Sequence, residues 1–106
     1  MALTPDTEHV TLSDMITRFR HKGLLLFFET GRVTGILPEH ATRLRRILAL
    51  LHTAITIADM DLPGLVLHEL KGSRAGTWTV RIDGNWRITF RMDAQGVTDV
   101  NYEDYH

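Results

Sequence analysis

The chain has 106 residues, a length that predicts a single domain with one modest core. Its apolar content of 43% and charged content of 24% are ordinary for a globular protein, and the formal net charge is −1. This charge excludes the overall basic character that would by itself argue for nucleic-acid binding, so such a function has to rest on a local patch.

The sequence contains no cysteine, which excludes disulfides and thiolate metal sites. No apolar run approaches the roughly 20 residues that span a bilayer. The first residues also lack the basic-then-apolar pattern of a secretion signal. We therefore expect a soluble, cytoplasmic protein that does not associate with a membrane.

The first half of the chain predicts a strand and two helices. Residues 1–14 are polar and aperiodic, so we expect a flexible extension before a domain that spans residues 15–106. Residues 15–20 alternate and predict a short strand, and residues 22–30 predict a helix that ends at Gly31. Pro38 is typical of a helix start. The apolar residues that follow at helical spacing are Ala41, Leu44, Ile47, Leu48, Leu51 and Ile55.

The second half predicts an antiparallel meander. After a break at residues 61–64, we expect strands over 65–70, 77–82, 86–92 and 97–102, with turns at 83–85 and 93–96. The fold class is therefore α+β. Because Trp86, Ile88 and Phe90 alternate with charged residues, they pack on the helices and leave the other face of the sheet uncovered. This open face carries Arg81, Arg87 and Arg91, and a loop that contains Lys71 and Arg74 lies at one end of the strands.

The last residues place a carboxylate, a phenol and an imidazole side by side at Asp104, Tyr105 and His106. Upstream lie a second imidazole at His68 and the cations of Lys71 and Arg87. Cleavage of a phosphodiester needs proton-transfer groups and cations together. The other histidines, His9, His21, His40 and His52, are expected to be solvated.

Five segments in order resemble the HigB branch of the RelE/ParE superfamily of bacterial toxins. They are FRHKGL at 19–24, LHELKG at 67–72, GTWTV at 76–80, NWRITF at 85–90 and NYEDYH at 101–106. The resemblance covers roughly residues 15–106. It implies a RelE-like fold, in which an N-terminal strand and two helices pack on one face of a mainly antiparallel sheet. Glu69 departs from the pattern, since relatives often have proline there.

The resemblance implies the toxin of a type II toxin–antitoxin pair, an endoribonuclease that cuts mRNA in the ribosomal A site and needs no cofactor or metal. The implied partner is a HigA-like helix-turn-helix antitoxin, and operator DNA is contacted only through it. The family's active-site positions fall on His68, Lys71, Arg87, Asp104, Tyr105 and His106. Further contacts to RNA phosphates are expected from Arg74, Arg81 and Arg91.

Metal-free RNA cleavage uses the 2′-OH of the substrate as nucleophile. We expect His68 and His106 to share the acid and base roles, in an order that the residues leave open. Lys71 and Arg87 hold the phosphate, Asp104 orients an imidazole or polarises the 2′-OH, and Tyr105 contacts the phosphate or stacks on a base. A terminal carboxylate on His106 raises the pKa of its imidazole and favours the acid role, so a C-terminal tag is expected to alter activity.

Other interpretations remain open at this point. His68 is by itself more typical of a hydrogen-bonded structural residue. His68, Asp104 and His106 are candidate metal ligands, although no tight spacing supports such a site. The protein can also be a non-catalytic, ParE-like toxin that binds DNA gyrase, or an inactive module that only binds a partner. Neither of these needs the set of His68, Lys71, Arg87 and His106.

Overall fold

A computed structural model of the chain describes residues 15–105 and shows helices packed on an antiparallel sheet. The predicted extension 1–14 and His106 lie outside the described residues. Short 3₁₀ turns at Pro38–His40, Ile57–Met60 and Gly72–Arg74 connect the main elements. The helices are α1 (Lys22–Thr30) and α2 (Ala41–Thr53), and the strands are β1 (His68–Glu69), β2 (Trp78–Asp83), β3 (Trp86–Asp93) and β4 (Gly96–Asp104). The predicted α+β class is confirmed.

Helix α1 has the predicted bounds because both of its ends are capped. At the N-terminus, Nδ1 of His21 accepts a hydrogen bond from the backbone N–H of Leu24 at 3.0 Å. At the C-terminus, Gly31 has φ 82° and donates its N–H to the carbonyl of Phe27 at 2.8 Å. Burial lowers the pKa of His21, which favours the neutral ring that this cap requires.

Helix α2 buries Leu44, Ile47, Leu48 and Leu51, as the apolar spacing predicts. The expectation for Ile55 was wrong, since the helix ends at Thr53 and the Ile55 side chain is 70% exposed. The carboxylate of Asp59 accepts the backbone N–H groups of Ile55 and Thr56 at 2.9 and 3.0 Å. This local cap starts a new 3₁₀ turn, so the helix cannot continue through Ile55.

His40 is also not solvated as expected, because its side chain is only 3% exposed. His40 lies where the 3₁₀ turn meets α2, and its Nδ1 is 2.7 Å from the hydroxyl oxygen of Tyr102. A ring edge of His40 also contacts Trp86, with 5.6 Å between the centroids. His40 therefore joins the helical layer to β3 and β4.

The four strands follow each other in chain order as an antiparallel meander, as predicted. The predicted strand over 65–70 is wrong in extent, because only His68–Glu69 is a strand. Val66 has φ 51°, which breaks the extended backbone before it. Leu65 still accepts a bond from the N–H of Arg81 at 2.7 Å. The predicted strand over 15–20 is reduced to two parallel bridges to β4, Ile16 with Val97 and Phe19 with Val100.

The core lies between the helices and one face of the sheet. Its fully buried members from the strands are Val80, Ile82, Ile88, Phe90, Val97 and Val100. The predicted sense of the alternation is therefore confirmed for β2 and β3. None of the described helices is long and apolar enough to cross a membrane.

Candidate active site

The register of the sheet assembles polar side chains on the open face. Residues directly opposite each other in neighbouring strands share a face and lie about 5 Å apart. One row across the sheet consists of His68, Thr79, Thr89 and Asn101, and the adjacent row consists of Arg81, Arg87 and Glu103. The sheet thus brings His68 and Arg87, from distant parts of the chain, to one surface.

The ring of His68 is held by its own backbone. Nδ1 lies 3.2 Å from the carbonyl oxygen of Val66, and a carbonyl can only accept a hydrogen bond. Nδ1 therefore carries the proton, and in the neutral ring the lone pair is on Nε2. Because the side chain is exposed, this Nε2 can accept a proton from a bound substrate.

Arg81 and Arg87 are cross-strand partners that converge on one turn. Nη1 of Arg87 donates to the carbonyl of Gly84 at 3.1 Å, and Nε of Arg81 donates to the same carbonyl at 3.4 Å. Like charges directly opposite each other in a sheet are destabilising unless an anion compensates them. The pair is therefore suited to bind a phosphate.

Glu103 is the hydrogen-bonding centre of the open face, although it was not among the residues predicted for the site. Its carboxylate accepts two bonds from Arg74, at 3.1 and 2.7 Å, and one from Thr89 at 2.6 Å. A further bond comes from Asn101 at 3.3 Å. The bonds from Arg74, above all, lower the pKa of Glu103, and the same bonds raise the pKa of Arg74. The alternation that places Arg87 on the open face also places its partner Glu103 there, so the signal was present.

The loop after β1 carries Lys71, whose side chain is exposed. Arg74, which is expected to contact RNA phosphates, ties this loop to β4 through Glu103. Glu69 closes the loop from its other side, since its Oε2 accepts the N–H of Gly76 at 2.8 Å. Because neighbouring strand residues point to opposite faces, the departure at Glu69 directs its carboxylate away from His68. Arg91 lies over the same loop and donates to the carbonyl of Ala75 at 3.4 Å.

The end of β4 separates the remaining predicted residues. Asp104 is paired in register with Trp86, whose ring packs on Tyr102, so Asp104 leaves the strand on the side that faces the helices. The backbone N–H of Tyr105 donates to the carbonyl of Asn85 at 2.8 Å, and its side chain is 39% exposed. Tyr105 thus lies beside the turn that Arg81 and Arg87 contact, and His106 lies outside the described residues.

Within residues 15–105, no three His, Asp or Glu side chains are grouped so that they could hold a metal ion. The side chains that the open face offers are an exposed imidazole at His68 and the cationic pair of Arg81 and Arg87.

Comparison with known proteins agrees with the α+β fold. Residues 17–106 match the family described as the HigB-like toxin, a RelE-like toxin of the type II toxin–antitoxin system HigB. The chain is also similar to the endoribonuclease HigB of Proteus vulgaris, with 40% identity over 92 residues that cover 87% of this chain and 100% of the relative. The match spans every described strand and both helices, and the chain therefore belongs to the HigB-like family of RelE-like type II toxins.

Proposed function

We propose that this HigB-like toxin is an endoribonuclease that cuts mRNA in the ribosomal A site without a metal ion. The observation that carries the proposal is the placement of His68, with Nε2 as its free lone pair, on the same face of the sheet as Arg81 and Arg87. The endoribonuclease named among its relatives, which is matched over its full length, supports the same reaction class.

In the proposed reaction, Nε2 of His68 removes the proton from a 2′-OH of the substrate. The 2′ oxygen forms a bond to the neighbouring phosphorus, and the bond between phosphorus and the 5′ oxygen breaks. The products are a 2′,3′-cyclic phosphate and a 5′-OH, and the 5′ oxygen takes its proton from an acid. The neutral tautomer of His68 is compatible with the base role, and we assign the acid role to His106.

Cations compensate the charge that develops on the phosphate as the bonds change. Arg87 can use its fork of donors on two phosphate oxygens, with Arg81 beside it. Lys71 approaches from the loop that follows β1, and the phenol of Tyr105 contacts the phosphate or a base from the end of β4. Such preorganised donors stabilise the transition state more than the ground state.

A toxin of a type II system has an antitoxin partner. For this chain we propose a HigA-like helix-turn-helix protein, which would carry the contacts to operator DNA.

The test is single-turnover cleavage of an mRNA programmed in the A site of purified ribosomes. His68→Asn keeps a donor that can reach the Val66 carbonyl but removes Nε2, and it should slow cleavage by about 10²–10⁴-fold. Arg87→Gln should also slow cleavage, whereas Arg46→Gln, an exposed arginine of α2, should not. Replacing the codon's 2′-OH groups by hydrogen should abolish cleavage, and EDTA that leaves the ribosome intact should have no effect. Full activity of His68→Asn, or cleavage of the 2′-deoxy codon, would overturn the mechanism.

A further inference from the structure

A polar groove opens on the described part of the molecule beside the Arg74–Glu103 pair. Its volume is about 320 Å³, and its lining includes Arg20, Ser73, Arg74, Thr77, Arg91 and Asp99. His68, Arg87 and Tyr105 do not line it, although Thr89, from the row of His68, does. The groove therefore adjoins the proposed cleavage site.

The groove carries positive charge that its surroundings do not compensate. Glu103 neutralises Arg74, and Asp99 lies 3.5 Å from Arg18. Arg91 donates only to neutral groups, the carbonyl of Ala75 and the hydroxyl of Thr77, at 3.4 and 3.3 Å. No residue between 15 and 105 forms an ion pair with Arg20 or Arg91. Two guanidinium groups thus face a concave, polar space, which favours an anion.

Backbone contacts position the two segments that carry these arginines. Arg91 lies against Gly76, where φ is 91° and an added Cβ would come within 2.8 Å of Nη2 of Arg91. Arg20 is held at the other edge of the sheet, since its N–H donates to the carbonyl of Val100 at 2.8 Å. The groove therefore spans from the 72–76 loop across β3 and β4 to the N-terminal segment.

The lining indicates the kind of anion. Ser73 and Thr77 add hydroxyl groups, which bind phosphate or ribose oxygens. No aromatic side chain lines the groove, so it offers no surface on which a base could stack. Its volume is at the lower end of the range for small-ligand sites, about 300–1,000 Å³, and suits a single nucleotide unit.

We propose that this groove binds a backbone phosphate of RNA outside the cleaved bond, with Arg20 and Arg91 as its ligands. The proposal rests on the proposed function, because it takes RNA as the bound polymer. The groove sets affinity and register on the strand without reading sequence. The phosphate can come from the mRNA that follows the codon or from ribosomal RNA, since the two share the same chemistry.

The test measures the Kd of the toxin for ribosomes whose A-site codon carries 2′-deoxy sugars and is not cut. Arg20→Gln and Arg91→Gln should each raise Kd about tenfold. Each should also reduce the salt dependence of log Kd by roughly 0.7–1. Arg46→Gln removes the same charge from α2 and should change neither quantity beyond a small screening effect. Unfolding midpoints identify any variant that has lost its fold. If Arg91→Gln is unstable, the Kd of Arg20→Gln decides the test, because Arg20 is exposed on a segment with few contacts.

A second arm uses ribosomes with an mRNA that ends at the P site. If the rise in Kd of the variants disappears on these ribosomes, the phosphate belongs to mRNA. If the rise in Kd persists, the phosphate belongs to ribosomal RNA. If both variants bind as tightly as Arg46→Gln in both arms, the proposal that the groove binds a phosphate is overturned. A slower single-turnover rate at saturating toxin also overturns it, since a pure binding site leaves that rate unchanged. Failure of the cleavage mechanism is read separately, from His68→Asn.

Discussion

The guanidinium of Arg74 and the carboxylate of Glu103 form a two-point ion pair across the open face, with N–O distances of 3.1 and 2.7 Å. The two residues are 29 positions apart in the chain. Arg74 lies in the loop that begins with Lys71, and Glu103 precedes Asp104 in β4. The pair therefore fixes the loop that supplies one proposed cation relative to the strand that leads to the C-terminal residues.

Replacing Glu103 by glutamine tests this link, because glutamine keeps the size of the side chain and removes its charge. Since the pair is partly exposed, with side-chain exposures of 38% and 21%, we expect a loss of about 1 kcal/mol in the free energy of unfolding. Cleavage should slow because Lys71 is less well placed. Denaturant unfolding measures the first effect, and Glu29→Gln, on the exposed surface of α1, is the control. Equal stability of both variants would show that the pair contributes nothing.

The same pair predicts a dependence of stability on pH. Hydrogen bonds from Arg74 lower the pKa of Glu103 in the folded state below its usual value of 4.5. A lowered pKa stabilises the fold above pH 4.5, and this contribution is lost as pH falls through the folded value. The difference in unfolding free energy between the wild type and Glu103→Gln should therefore be constant near pH 7 and shrink below pH 4.5. Asp59, whose pKa is also lowered, is present in both proteins and cancels in the difference.

Local signals in the sequence were enough to predict much of this architecture. Gly31 and Pro38 mark helix ends, and the alternation from Trp86 to Met92 determines which side chains face the helices. The signals failed where one residue's backbone or a distant contact decides the result. Val66 shortens β1 because its φ is 51°. A β-branched residue favours extended backbone, so the sequence did not predict this conformation. The partnership of Arg74 with Glu103 depends on the path of the loop between Gly72 and Gly76, which the spacing of charges does not predict.

His40 and Tyr102 provide a test of how the helices are joined to β4. The hydroxyl of Tyr102 accepts the N–H of Leu37 at 3.2 Å and lies within hydrogen-bond distance of Nδ1 of His40, at 2.7 Å. Tyr102→Phe leaves the N–H of Leu37 and the buried ring of His40 without this partner, and we expect it to cost about 1–3 kcal/mol of unfolding free energy. In a double-mutant cycle with His40→Phe, the combined loss should be smaller than the sum of the single losses. Strict additivity would mean that the two side chains are not coupled.

Gly23 and Gly35 bring α1 and the following loop into backbone contact. A Cβ on Gly23 would lie 2.6 Å from the carbonyl oxygen of Gly35 and 2.7 Å from its Cα. Alanine at position 23 must therefore push the backbones apart, with an expected cost of about 1–3 kcal/mol. Gly31→Ala, where φ is 82° but no atom lies within 4 Å, isolates the cost of backbone strain alone. Thermal unfolding should show a lower midpoint for Gly23→Ala than for the wild type, because the atoms in the way belong to the backbone and cannot move aside as a side chain can.

Val66 predicts a stabilising substitution next to the proposed base. Its φ of 51° costs an L-residue with a branched side chain roughly 1–2 kcal/mol, and its side chain is 59% exposed, so little burial offsets that cost. The free energy of unfolding of Val66→Gly should therefore equal that of the wild type or exceed it by up to about 1 kcal/mol, once the chain entropy of the glycine is included. Val33→Gly, at an exposed position with ordinary φ, should be destabilised and serves as the control. The carbonyl of Val66 accepts a hydrogen bond from Nδ1 of His68. In the glycine variant the His68 ring should therefore be held less firmly, and the cleavage rate should fall. A Val66→Gly protein that is less stable than Val33→Gly would show that the backbone at position 66 stores no such strain.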